Sequence, residues 1–180
     1  MTPEELARAR ELTLPDLVRP GLRVLFCGIN PGLMSALRGH HFARPGNRFW
    51  PALHASGFTP RRFRPDEQEQ VLELGLGITN VAGRATARAD ELTAEELVAG
   101  GRRLVAKVEE YRPDWLAVLG VTAFRTAFGE RGARVGPQPG AFGGTRVWVL
   151  PSPSGLNAHW TPAALAQEFA RLREASALAA

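Results

Sequence analysis

The chain has 180 residues, of which 44% are hydrophobic and 22% charged, as expected for one globular domain large enough to bury its own core. No apolar run approaches the roughly 20 residues of a membrane span, the acidic start is unlike a signal peptide, and the single cysteine, Cys27, excludes an internal disulfide or a cysteine-built metal cage. We therefore expect a cytoplasmic protein with no membrane partner, whose net charge of +4, carried almost wholly by arginine, favours nucleic acid, although a GC-rich genome would produce the same bias.

The first half of the chain predicts three helices and two strands. Thr2, Pro3 and Glu5 indicate a helix start, because Thr2 can cap the helix and Glu5 can complete a capping box. The other elements predicted in this half are a strand at residues 22–27, helices at 47–57 (capped by Asn47) and 66–74, and a second, short strand at 77–80.

The second half alternates strands and helices. Thr93 and Glu96 form a capping box that opens a helix towards Tyr111. Gly100 and Gly101 inside this helix cost about 1 kcal/mol each relative to alanine, and we expect close packing on the sheet to offset that cost. Further strands are predicted at residues 115–119 and 146–150, and helices at 121–128 and from 162 onward. This alternation predicts a small, mainly parallel sheet covered on both faces.

Two loops rich in proline and glycine follow predicted strands. One reads Gly28-Ile29-Asn30-Pro31-Gly32, and the other reads Pro151-Ser152-Pro153-Ser154-Gly155-Leu156-Asn157. Because the carboxyl ends of parallel strands meet at one edge of a sheet, where open α/β sheets bind ligands, we expect the two loops to converge on one crevice.

Together with a third segment, these loops resemble a known family. The third segment is His41-Phe42-Ala43-Arg44-Pro45-Gly46-Asn47-Arg48-Phe49-Trp50. The order and spacing of the three segments resemble those of the mismatch-specific uracil-DNA glycosylases, which belong to the thymine-DNA glycosylase group of the uracil-DNA glycosylase superfamily. The resemblance extends from about Gly21 to the final helix. The resemblance implies a three-layer α/β/α sandwich, no cofactor, and hydrolysis of the base–sugar bond of uracil or a related base mispaired with guanine in double-stranded DNA. It divides the chain into an N-terminal helical extension, residues 1–20, and one glycosylase domain, residues 21–180, with a monomer as the default state.

The resemblance also assigns the residues that meet the base. It implies that Asn30 holds the attacking water and that Phe42 stacks on the flipped base. The backbone of Ile29 would contact that base, and Ser35 would lie near the C5 edge of uracil, where a thymine methyl group projects. From the residues alone, Asn30 could equally be a turn residue that supports its own loop, and Phe42 could belong to the core.

The second loop carries the wedge that the resemblance implies. Gly155, Leu156 and Asn157 would enter the duplex, and an apolar wedge would offset the few kcal/mol that base extrusion costs. From the residues alone, Leu156 could instead pack inward as a loop anchor. The resemblance implies that Ser152 lines the base pocket where the family usually has asparagine, so this chain would lack an amide donor at that edge.

Water activation has a second candidate besides Asn30. A neutral amide is a poor proton acceptor, so Asn30 should orient water rather than deprotonate it. Asp90 is not needed as a helix cap, because Thr93 caps the helix that follows, and we hypothesise that Asp90 assists water activation; the alternative is a solvated loop carboxylate.

The four histidines show no metal-ligand spacing. The candidates for phosphate contacts are Arg44, Arg48, Arg61, Arg62, Arg64, Arg84 and Arg88.

Two other functions compete with a glycosylase. The replacement at Ser152 is compatible with a non-catalytic DNA-binding module that recognises damage. A small-molecule, nucleotide-binding α/β enzyme is less favoured, because the sequence contains neither G-x-G-x-x-G nor G-x-x-x-x-G-K-[ST].

Overall fold

A computed structural model describes residues 1–177. The helices of this part are α1 (Pro3–Glu11), α2 (Leu33–Arg38), α3 (Phe49–Ala55), α4 (Ala94–Tyr111), α5 (Val121–Phe128) and α6 (Pro162–Ala177), with 3₁₀ helices at Pro65–Leu74 and Ala89–Glu91. The strands are β1 (Val24–Gly28), β2 (Leu76–Asn80), β3 (Trp115–Leu119), β4 (Gly136–Phe142) and β5 (Thr145–Leu150). Across residues 1–177, no helix has the length and apolar character needed to cross a membrane.

One five-stranded sheet, in the order β2-β1-β3-β5-β4, organises the chain. The pairs β1–β2, β1–β3 and β3–β5 are parallel, as predicted, whereas β4 runs antiparallel to β5 at one edge. The sequence did not predict β4, because its Pro137, Pro139 and Gly140 are typical of turns. An edge strand tolerates proline, and the pairing shifts register between Pro137 and Ala141.

Helices cover both faces of the sheet, which confirms the predicted α/β/α sandwich. On one face, the ring of Phe26 from β1 packs edge-on against Phe49 of α3 at 5.4 Å and stacks with Phe169 of α6 at 5.9 Å. On the other face, Leu104 of α4 and Phe124 of α5 are buried in the cluster that contains Cys27 and its neighbours in the sheet. Strands β1 and β3 are buried along their whole length, which explains their continuous apolar sequences.

The paired glycines of α4 are explained by close packing, although not against the sheet. A Cβ atom at Gly100 would overlap the backbone of Val81, in the segment that follows β2, and a Cβ atom at Gly101 would lie 2.8 Å from the carbonyl oxygen of Ala127 in α5. The two glycines therefore let α4 approach α5 and the segment after β2.

The region between β1 and β2 differs from prediction in two places. Helix α2 was not predicted, and residues 65–74 form a 3₁₀ helix rather than an α-helix. Helix α3 begins at Phe49, but Asn47 still supports its start, because its Oδ1 accepts from the Phe49 N–H at 2.9 Å.

Helix α1 begins with the predicted capping box. The Glu5 N–H donates to Thr2 Oγ1 at 3.1 Å, and the Thr2 N–H donates to the Glu5 carboxylate at 2.8 Å. The helix packs on α2 through a small apolar cluster that includes Ala9, Leu33 and Ala36. The chain then runs to the sheet, where Leu17 forms an antiparallel bridge with Ile78 of β2.

Candidate active site

A cavity of about 150 Å³ lies at the carboxyl edge of the parallel strands. The two predicted loops converge there: residues 29–32 after β1, which we call the Asn30 loop, and residues 151–157 after β5, which we call the Leu156 loop. Its lining includes Leu14, Asn30, Ser35, Phe42, Asn80 and Ser152. Five of the predicted site residues line this cavity, namely Ile29, Asn30, Ser35, Phe42 and Ser152, whereas Asp90, Gly155, Leu156 and Asn157 do not.

The side chain of Asn30 is fixed in one orientation. Its Nδ2 donates to the carbonyl oxygen of Arg84 at 2.8 Å and to Thr86 Oγ1 at 2.7 Å, and Thr86 Oγ1 in turn donates to the carbonyl oxygen of Arg88 at 2.7 Å. Because a backbone carbonyl can only accept, the atom facing Arg84 must be the amide nitrogen. Oδ1 is left without a donor among residues 1–177, so Asn30 contributes a fixed acceptor to the cavity.

Backbone hydrogen bonds tie the Asn30 loop to the segment that follows β2. Ala82 N–H donates to the carbonyl oxygen of Ile29 at 2.9 Å, and Thr86 N–H donates to that of Pro31 at 3.1 Å. The side chain of Asn30 thus supports a contact with a segment more than fifty residues away in sequence. Asn30 thus supports its own loop, as the competing interpretation expected, but through Arg84 and Thr86 and not within its own turn.

Phe42 lies on Phe49 and lines the cavity. The two rings are stacked with centroids 4.1 Å apart and an angle of 28° between their planes. Phe42 has a φ of 53°, a left-handed conformation that costs a non-glycine residue on the order of 1–3 kcal/mol. Such strain is typical of functional sites, where the surroundings hold a side chain in a required position. The ring is half-buried and offers the cavity a flat aromatic surface.

Asn80 is a site residue that sequence analysis did not identify. It ends β2, and the parallel register places it beside Gly28, the last residue of β1. A Cβ atom at Gly28 would lie 2.6 Å from Asn80 Oδ1 and 3.4 Å from the Phe42 ring, so only glycine fits between them. The Asn80 side chain makes no hydrogen bond within residues 1–177 and is therefore free to bind a ligand in the cavity. The signal available in the sequence was that Asn80 is a polar residue at the end of the strand predicted at residues 77–80.

Ser35 and Ser152 both line the cavity and also shape the loops around it. Ser35 is buried on α2, and its Oγ accepts from the Ala43 N–H at 3.0 Å, which anchors the chain next to Phe42. The carbonyl oxygen of Ser152 accepts from Asn157 Nδ2 at 3.1 Å, which closes the Leu156 loop.

The Leu156 loop presents its leucine to solvent. The Leu156 side chain is 68% exposed and does not pack inward as a loop anchor. Gly155 packs against the opposite segment, since a Cβ atom there would lie 2.7 Å from the carbonyl oxygen of Gly46. Gly155 and Leu156 lie with Gly46 in a second depression, which shares Arg44, Asn47 and Ser154 with the lining of the main cavity.

Arg48 holds the Leu156 loop from below. Its Nη2 donates to the carbonyl oxygens of Ser154 and Asn157, both at 2.9 Å, and its Nη1 donates to that of Trp160. Its backbone N–H donates to the carbonyl oxygen of Pro153 at 2.8 Å. Arg48 was expected among the phosphate contacts, but its guanidinium is occupied by loop carbonyls instead.

Asp90 lies outside the group of residues that line the cavity. It is part of the 3₁₀ helix Ala89–Glu91, its side chain is 67% exposed, and its two carboxylate oxygens accept from Arg88 at 3.0 and 2.8 Å. The neighbouring Ala89 does line the cavity. The structure thus places Asp90 at the rim, paired with a cation, and does not bring it together with Asn30.

Most of the other candidate phosphate ligands are paired with carboxylates. The pairs are Arg61–Glu67 at 2.9 Å, Arg64–Asp66 at 3.0 Å, Arg84–Glu96 at 2.9 Å and Arg88–Asp90 at 2.8 Å. The hydrogen bond from Arg61 lowers the pKa of Glu67 to about 2, and that from Arg84 does the same for Glu96. Arg44 and Arg62 have no acidic partner within residues 1–177, and both are exposed. Arg44 also lines the cavity.

The family of the chain follows from its similarity to known proteins. Residues 15–175 match the model of the uracil DNA glycosylase superfamily, and the chain belongs to that superfamily. Its fold is shared with a protein from Methanosarcina acetivorans whose solution NMR structure is described provisionally as a uracil DNA glycosylase; the TM-score is 0.58 at 19% identity, over 91% of this chain and 98% of that one. Membership of the superfamily indicates a glycosylase, a hydrolase that acts on uracil in DNA.

Proposed function

We propose that this protein is a monofunctional DNA glycosylase that removes uracil and related damaged bases mispaired with guanine in duplex DNA, and so initiates base excision repair. The observation that carries the proposal is the fixed amide of Asn30, which contributes a free Oδ1 to the cavity beside the stacked ring of Phe42. The proposed active form is a monomer.

The proposed reaction is hydrolysis of the bond between the sugar C1′ and the base nitrogen. A base inside a duplex is unreachable, so it must first be extruded into the cavity. Asn30 Oδ1 accepts a hydrogen bond from a water and orients its oxygen towards C1′. The C1′–N bond breaks with its electron pair going to the base, and the water oxygen bonds to C1′ as it loses a proton, which neutralises the departed base. Positioning of the water is the contribution of Asn30.

The base would be held by three side chains. Phe42 stacks on its face, and the free amide of Asn80 hydrogen-bonds its polar edge. Ser35 lies close to the chain around Phe42 and would limit the space beside the ring. Amide donors directed at the departing base stabilise the negative charge that develops on it, as donors in an oxyanion hole do.

Asp90 is a second proposed participant in water activation. It follows the cavity-lining Ala89, and its carboxylate is bound to Arg88. A catalytic role requires Arg88 to release it, and the phosphates of bound DNA are ligands that compete for an exposed guanidinium. Asp90→Asn should lower the single-turnover rate of base release if this role exists. An unchanged rate would leave water activation to Asn30 alone.

DNA contacts are proposed at the Leu156 loop and beside it. The exposed Leu156, flanked by Gly155 and Asn157, would fill the space that the extruded base vacates and contact the guanine left behind. Arg44 and Arg62 would contact phosphates, since carboxylates already occupy most of the neighbouring arginines. Double-stranded DNA with a mispaired or damaged base is therefore the proposed partner.

A single-turnover assay tests the proposal. Uracil release would be measured from G·U duplex, A·U duplex and single strands, for the wild type and for Asn30→Ala. We expect release from the G·U duplex to be fastest, and Asn30→Ala to lose on the order of 10²-fold or more, because a misplaced reactant costs about that much. Tight binding of G·U duplex without release would instead indicate a damage-recognising module. Binding of free nucleotides in preference to duplex would indicate a small-molecule enzyme.

A further inference from the structure

The segment that connects α1 to the sheet forms part of the base cavity. We call residues 14–17 the strap. At its far end, the N–H and carbonyl oxygen of Leu17 exchange hydrogen bonds with the backbone of Ile78, both at 2.9 Å. Strand β2 is an edge strand, so the strap lies along the otherwise open side of the sheet. This bridge fixes the strap two residues before Asn80, where β2 ends at the cavity.

A polar triangle fastens the middle of the strap. Thr79 Oγ1 donates to Asp16 Oδ1 at 2.8 Å, Lys107 Nζ donates to Thr79 Oγ1 at 2.9 Å, and Lys107 also forms an ion pair with Asp16. The three residues come from the strap, β2 and α4. Thr79 is fully buried, and the other two side chains are only 26% exposed. The triangle therefore joins the strap firmly to the strand that carries Asn80.

Another hydrogen bond joins the strap to the segment that carries Phe42. His41 Nε2 lies 2.8 Å from the carbonyl oxygen of Pro15 and must donate to it, because that oxygen can only accept. His41 is buried, and its own carbonyl oxygen accepts from Trp50 Nε1 at 3.0 Å. The strap thus contacts the residue immediately before Phe42.

Leu14, which directly precedes these anchors, lines the cavity. It is half-buried, and it lies next to Pro15, whose carbonyl oxygen holds His41. The match to the superfamily begins at residue 15, so Leu14 lies outside the part of the chain that the family describes. Its contribution to the cavity follows only from the structure.

We propose that Leu14 is a specificity-determining residue, an apolar wall that sets the size of base the cavity accepts. The anchors at Pro15, Asp16 and Leu17, which directly follow Leu14, give this wall little freedom to move, so a larger base must displace a side chain that is held in place. This inference rests on the proposed glycosylase function for its substrate class, an extruded pyrimidine, but the wall acts on any base that enters the cavity, whether or not it is then released.

The test compares Leu14→Ala and Leu14→Phe with the wild type on duplexes that carry uracil, 5-fluorouracil, 5-bromouracil or thymine opposite guanine. Single-turnover release and duplex binding are both measured. We expect Leu14→Ala to raise the preference for the larger bases relative to uracil by on the order of tenfold, since a few methyl-sized contacts discriminate at about that level. Leu14→Phe should lower release and binding of every base, most strongly of the largest.

Leu12→Ala is the matched control, because it makes the same change two residues earlier, where the side chain packs with Leu33 and Ala36. It should change thermal stability without changing the ratio between large and small bases. A ratio that stays constant in both Leu14 variants, or that Leu12→Ala shifts equally, overturns the inference. A wild type that binds these duplexes but releases no base overturns the proposed function instead, and the binding ratios then still decide the role of Leu14.

Discussion

The two loops that meet at the cavity are built in different ways. The Asn30 loop is held by backbone hydrogen bonds to the segment after β2 and by the amide of Asn30 itself, so its functional side chain is also part of its support. The Leu156 loop is held by Arg48 from another element, and its leucine takes no part in that support. The difference suits two tasks, because chemistry requires a fixed atom, whereas a wedge must be free to leave water and enter a duplex.

The largest effect is expected from loosening the Asn30 loop at Thr86. Thr86→Val removes the hydroxyl that accepts from Asn30 Nδ2, while Arg84 still accepts from the same nitrogen. One hydrogen bond should then hold the amide less closely than two, and the single-turnover rate should fall on the order of 10²-fold because the water is misplaced. The loss should be equal on duplex and single-stranded substrates, because both require the same bond cleavage.

Thr86→Ser is the control for that experiment, since it keeps the hydroxyl. It should retain most of the wild-type rate. If Thr86→Val kept full activity with an unchanged melting temperature, the hydrogen bond would not be what orients Asn30.

A smaller effect, restricted to duplex DNA, is expected at the Leu156 loop. Leu156→Ala removes a wedge that offsets part of the few kcal/mol needed to extrude a base, so release from G·U duplex should fall by roughly tenfold. Release from single strands should not change, because no partner base has to be replaced. The melting temperature should also stay within error, since the side chain is 68% exposed. Equal losses on both substrates would contradict a wedge and point to a role in the cavity.

Phosphate contacts are expected to have an effect that depends on salt. Arg44→Gln removes an exposed cation that has no acidic partner within residues 1–177. The slope of log affinity against log salt should become shallower by about one if Arg44 contacts a phosphate. Arg102→Gln is the control, because it removes the same charge from the exposed side of α4. Identical slopes for the two variants would mean that Arg44 contributes only to the general charge.

The fold was more predictable than the site, for a physical reason. Continuous apolar runs such as residues 115–119 can only be buried strands when both faces of a sheet are covered, and the capping box at Thr93 marks a helix start by local hydrogen bonds. Pairing between distant segments leaves no such local sign. The hydrogen bond from Asn30 to Thr86, the use of Arg48 by the Leu156 loop and the place of Asn80 beside Gly28 all depend on it. Sequence similarity could suggest the role of Asn30, but not what holds it.

The smallest effect is expected from the pH dependence of stability at His41, which precedes Phe42. Burial lowers the pKa of His41 below its usual 6.5, with the neighbouring His40 acting in the same direction and Asp16 and the Pro15 carbonyl opposing it. Between the lowered pKa and 6.5, the unfolded chain therefore binds more protons than the folded one at this position. Stability should rise with pH across that window and be lost as the pH falls below about 6.5, by at most about 1.4 kcal/mol per pH unit.

Urea unfolding at several pH values measures this effect, with His41→Gln as the comparison. Glutamine can still donate to the Pro15 carbonyl oxygen but does not titrate, so its stability should depend less on pH in this window than that of the wild type. Parallel pH profiles would mean that folding does not shift the pKa of His41. Because His41 directly precedes Phe42, the same protonation should also loosen the ring that faces the base. Activity on uracil should then fall together with stability on the acid side. The Leu156 loop contains no titratable side chain, so it should be affected only at lower pH.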